Sequence, residues 1–145
     1  MKILLISVFS WMLFVSAPAP KSIIGDWKTI DDETNKAKSV VHIFMSEGKA
    51  YGKIIKLFRD KTQNQDPLCD KCTGYRKNQK IIGMQIVNGL VPKGDIWEAD
   101  NGILDPNNGK FYDCEIWLDE KDPKILHVRG YIGFLYRTQT WYKYE

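Results

Sequence analysis

No stretch after residue 20 keeps an apolar residue every three to four positions, so the chain has little from which to build amphipathic helices. Its longest apolar run, Ile3 to Val15, is broken only by Ser7 and Ser10. As a helix that run is too short to cross roughly 30 Å of hydrocarbon. No basic run exceeds two residues and the formal net charge is only +3, which leaves no phosphate-binding stripe and argues against nucleic acid. There are two histidines, His42 and His127, and three cysteines. No Gly-x-Ser-x-Gly elbow accompanies the histidines, so a nucleophile–base arrangement has no local signature. Internal repeats and low-complexity segments are lacking too.

What the chain does have is a leader, a run of short strands and many aromatic residues. Met1-Lys2 followed by the apolar run and then Ser16-Ala17-Pro18-Ala19 has the plan of a secretory signal peptide. Residues 1–20 are therefore expected to direct export, leaving 21–145 as a single domain in the periplasm or outside the cell. Trp27, Trp97, Trp117, Trp141 and all seven tyrosines lie in that second part. Large rings suit a β protein that must fill an interior.

Turn chemistry divides the domain into strands. The expected spans are Ile24–Ile30, Lys38–Met45, Ala50–Phe58, Ile81–Leu90, Ile96–Ala99 with Gly102–Leu104 beyond a kink, Lys110–Leu118, Lys124–Gly130 and Gly133–Tyr144. Asp105-Pro106-Asn107-Asn108-Gly109 is the strongest turn signal. Only Arg59 to Gln79 is long and irregular. Short strands at this spacing form an antiparallel meander, a barrel or a sandwich, and the Gly25–Thr29 stretch is expected to meet Tyr136–Trp141 and close it.

Charge sets the parity of the strands. Asp113 and Glu115 must face water, so Tyr112, Cys114, Ile116 and Leu118 face inward, and by the same logic so do Leu126 and Val128. His127 and Arg129 then face outward, and Arg129 is expected to pair with Asp113 or Glu115.

Gly25-Asp26-Trp27 matches the G-x-W signature of lipocalin-like (calycin) barrels, with Arg137 as the arginine that packs across the tryptophan. Further motifs are Asp31-Asp32-Glu33-Thr34, Tyr51-Gly52-Lys53-Ile54, Cys69-x-x-Cys72, Ile103-Leu104-Asp105-Pro106, Gly109-Lys110-x-Tyr112 and Val128-Arg129-Gly130-Tyr131-Ile132-Gly133. Together with Arg137-Thr138-Gln139-Thr140-Trp141, these make the chain resemble a family of small exported bacterial proteins of unknown function. The resemblance implies an all-β, up-and-down barrel of lipocalin-like form. It carries no catalytic residues with it.

Cys69-Asp70-Lys71-Cys72 admits three readings. A redox-active pair normally opens a helix, and here it sits in a loop of a β chain. A zinc site would need Cys69, Cys72 and Cys114 with His42 or His127, yet Cys114 belongs to a strand interior and the histidines to other strands. An intrachain Cys69–Cys72 disulfide pinning the long loop is favoured in an exported protein, with Cys114 a small buried thiol. Asp31-Asp32-Glu33 needs no calcium to make a polar turn.

These observations favour a non-enzymatic binding protein without metal or cofactor, holding a small apolar or amphiphilic molecule inside the barrel. Its expected wall is Val41, Ile43, Ile54, Met84, Ile86, Trp97, Tyr112, Cys114, Ile116 and Val128. The runner-up is a module of the cell envelope with a filled barrel that binds a protein partner, and a thiol or metal site at Cys69/Cys72 comes third.

Overall fold

The computed structural model describes residues 21–145, and the expected signal peptide lies outside them. Eight strands follow one another: β1 (Gly25–Ile30), β2 (Ala37–Ser46), β3 (Lys49–Leu57), β4 (Gln85–Lys93), β5 (Ile96–Asp105), β6 (Lys110–Leu118), β7 (Ile125–Ile132) and β8 (Leu135–Lys143). Each pairs antiparallel with the next, and β8 returns to β1, so the sheet is a closed up-and-down barrel. A single 3-10 turn, Gly74–Arg76, interrupts the long β3–β4 loop.

The largest departures from the expected boundaries are the two ends of β4, and both have local reasons. Ile81 to Met84 form a turn, with the Met84 amide donating to the Ile81 carbonyl at 3.1 Å, so β4 starts only at Gln85. It also runs on through Pro92. The ladder to β3 ends at Leu90, so the missing N–H of Pro92 leaves no partner stranded. On β6 the charge argument describes the faces: Cys114 and Ile116 are buried, while Asp113 is exposed.

One end of the barrel is packed solid. Trp27, Ile43, Leu90, Ile116 and Leu126 are fully buried there, joined by Val41, Ala50 and Cys114. Trp27 donates its Nε1 proton to the Ile23 carbonyl at 2.7 Å, so the chain ahead of β1 folds back over its own ring.

The residue that covers this ring is Lys143, not Arg137. The β1–β8 register sets Trp27 opposite Lys143, whose Nζ lies 4.8 Å from the ring centroid and donates to the Ile24 carbonyl at 3.0 Å. Arg137 stands six positions earlier on β8, about 20 Å away at the strand rise. It pairs instead with Asp32 at 3.3 Å. Arg129 also departs from expectation. Although Glu115 is its cross-strand neighbour, the Tyr131 hydroxyl takes Glu115 at 2.8 Å. Arg129 donates to Thr138 at 2.8 Å and lies over the rings of Trp117 and Tyr136.

Trp27→Ala removes the largest buried side chain at the closure and is expected to cost about 3–5 kcal/mol, whereas Arg137→Ala, which loses an exposed pair, should cost under about 1 kcal/mol. Chemical denaturation of the two variants checks the order. Equal losses would mean that closure does not depend on Trp27.

Candidate functional site

The odd-numbered strands all end where the even-numbered ones begin, so the β1–β2, β3–β4, β5–β6 and β7–β8 connections gather at one end of the barrel. At that end the interior is open. A cavity of about 940 Å³ descends from these loops, walled by Ile54, Ile86, Leu104, Tyr112, Val128 and Trp141. Its rim carries Lys36, Lys38, Arg59, Asp60, Asn107, Asn108 and Arg137.

The polar groups in the wall are held by one another. Thr29 and Ser39, both buried, join hydroxyls at 2.7 Å, and the Ser39 amide donates to Thr29 Oγ1 at 3.1 Å. Trp141 Nε1 donates to Gln139 Oε1 at 3.2 Å, and Gln139 Nε2 donates to Asp32 Oδ2 at 2.8 Å. The same oxygen takes Arg137. This chain of contacts ties the β1–β2 loop to β8 where the backbone ladder does not reach, since β1 and β8 share only the pairs Trp27–Lys143 and Lys28–Tyr142. Nearer the mouth, Asn108 donates to the Tyr112 hydroxyl at 2.7 Å. Asp31 Oδ1 accepts from the Glu33 and Thr34 amides and the Thr34 hydroxyl, which holds its pKa below the ordinary carboxylate value.

Of the ten residues expected to form the wall, the structure puts Ile54, Ile86, Tyr112 and Val128 on the cavity. Val41, Ile43, Met84, Cys114 and Ile116 are buried in the core and do not line it. Trp97 is half-buried against that core and also stays off the wall. Alternation along a strand distinguishes inside from outside but not one end of the barrel from the other. Trp141 escaped sequence reasoning because Gln139 and Arg137 share its face of β8, which therefore reads as polar.

Cys69 and Cys72 are joined at an S–S distance of 2.00 Å. Their loop is anchored by the Cys69 amide on the Gln79 carbonyl and the Asn78 amide on the Cys69 carbonyl. Cys69 Sγ lies 3.4 Å from the Pro106 carbonyl oxygen, so the disulfide loop rests on the β5–β6 turn beside the mouth. At that turn a side chain on Gly109, whose φ is +70°, would overlap the Lys71 backbone. The two sulfurs are committed to each other, and Cys114 is remote in the core. Burial, with Glu115 beside it, pushes the Cys114 thiol up to about 12. His42 pairs with Asp26 at 2.6 Å and His127 with Asp119 at 3.0 Å, and neither hydrogen-bonds a serine, threonine or cysteine among the described residues. The His127 hydrogen bond is the main cause lowering Asp119 to about 2. Among the described residues no cluster of three metal-ligating side chains occurs.

A family model described as "Uncharacterized protein conserved in bacteria (DUF2147)" matches residues 25–143. One solved structure, titled as protein HP1028 from the human pathogen Helicobacter pylori and as belonging to the lipocalin family, superposes with a TM-score of 0.70 at 17% identity. The match covers 87% of this chain and 85% of that one, and at this identity it speaks for the fold. No curated protein matches the chain.

Alkylation checks the sulfur chemistry. Native protein, unreduced, should show no reactive thiol at pH 8 and a single one, Cys114, after unfolding. Modification of Cys69 or Cys72 without a reductant would contradict the bonded pair.

Proposed function

The chain belongs to the DUF2147 family of uncharacterized proteins conserved in bacteria, and on that premise we propose that it is an exported, non-enzymatic binding protein that holds one small amphiphilic molecule in the open half of its barrel. The observation that carries this reading is the division of the interior: a packed end below Trp27 and Ile43, and about 940 Å³ of walled space above. That volume is in the range of single-ligand pockets, roughly 300–1,000 Å³. The wall combines aliphatic and aromatic side chains with polar groups that satisfy one another, and the charged groups sit at the rim, so a ligand with an apolar body and a polar head leaves its head at the mouth. Affinity then comes chiefly from apolar area removed from water, about 25 cal/mol per Å² before ordering costs.

Export accounts for two features together, the leader at residues 1–20 and a disulfide that persists in an oxidising compartment. A filled barrel acting only through its outer surface fits the open half less well. Chemistry at the cysteines fits less well too, because the one free thiol is buried.

Titration with a fluorescent fatty acid tests the proposal. Binding should quench Trp141, which stands on the wall, and Val128→Trp should weaken it by at least about tenfold by filling the space. The melting temperature of that variant should stay within a few degrees of wild type. Failure of the wild-type protein to take up the probe, or uptake that Val128→Trp leaves unchanged, would reject the cavity as the site.

A further inference from the structure

The β7–β8 hairpin ends in a tip of apolar side chains that no other described residue covers. Ile132 is 64%, Phe134 91%, Leu135 64% and Tyr136 62% exposed. Gly133, at φ +58°, makes a two-residue turn with Phe134 and throws that ring outward. The ladder then arranges the hairpin in layers. Ile132 faces Leu135 at the tip, Tyr131 faces Tyr136 one step down with ring centroids 5.9 Å apart, Gly130 faces Arg137 in the layer after, and Arg129 faces Thr138 below that.

Apolar residues outermost, a tyrosine pair next and Arg129 below them is the order in which a polypeptide passes from hydrocarbon to headgroups. Arg129 is suited to the last role. Its guanidinium stacks on Tyr136 at 4.4 Å and Trp117 at 5.0 Å, and among the described residues no carboxylate pairs with it. The tip is convex and narrow. Stable protein–protein contacts bury roughly 1,200–2,000 Å² over broad complementary surfaces, which a two-residue turn does not offer, whereas a bilayer deforms around it.

We propose that the barrel docks mouth-down on a lipid bilayer through this hairpin, with Phe134, Ile132 and Leu135 entering the hydrocarbon edge and Arg129 meeting anionic phosphates. Ile132, Leu135 and Tyr136 also line the mouth of the cavity, so the inserted tip gives an amphiphile an apolar path between bilayer and barrel. The path rests on the ligand-binding reading; the docking does not.

The experiment places a polarity-sensitive fluorophore on the full chain at Phe134→Cys or, as a control at the packed end, at Glu120→Cys. Each is mixed with vesicles of phosphatidylcholine and phosphatidylglycerol in equal parts. The label at 134 should brighten and be quenched by brominated lipid, while the label at 120 stays silent. In unlabelled protein, Phe134→Asp should weaken vesicle binding by at least about tenfold. It should leave fatty-acid uptake unchanged, because Phe134 is not on the cavity wall. A silent label at 134, an equal response at 120, or vesicle binding indifferent to Phe134→Asp would overturn the proposal. So would a tip signal seen only with lipid-free envelope protein, which would assign the hairpin to a protein partner. Fatty-acid uptake by wild type, read in the same samples, judges the cavity independently.

Discussion

Barrel closure depends on a short seam. A sheet escapes exposed edges only if its first and last strands meet, and here β1 and β8 share two residue pairs. The seam is completed by side chains at both ends. At the packed end Trp27 is locked between the Ile23 carbonyl and the Lys143 ammonium. At the open end Asp32 reaches across to Arg137 and Gln139, and through Gln139 to Trp141. The two devices differ in kind, a buried ring below and exposed polar contacts above. Exposed pairs contribute little each, so the packed end carries the stability.

That asymmetry lets the barrel be hollow. Eight strands enclose an interior just wide enough for side chains to fill. With large side chains crowded at one end, the other half retains space that residues such as Ile54, Val128 and Thr29 line without filling. The disulfide loop resting on the β5–β6 turn holds the rim there, where the cavity opens between the connections.

Much of this architecture was legible from residues alone. Asp113 and Glu115 fixed the parity of β6, and that strand's boundaries, Lys110 to Leu118, follow from the turns at Asp105–Gly109 and Asp119–Pro123. The partner of Trp27 was not legible. Which β8 cation covers the ring depends on register between strands more than a hundred residues apart, and Arg137 and Lys143 share one face. The cavity wall was half legible for a related reason. Ile116 and Val128 are neighbours with the same parity, yet Ile116 packs into the closed end while Val128 borders the space. Depth along the barrel axis is set by strand tilt and stagger, which alternation does not encode.

If the open half of the barrel is a ligand chamber, native mass spectrometry of the protein purified from its own cells should reveal the occupant. The expected result is a population heavier than the bare chain by the mass of one small organic molecule, which is released on denaturation and lost in Val128→Trp. A bare mass under all gentle conditions, with no adduct even after incubation with extracted cell lipids, would contradict it.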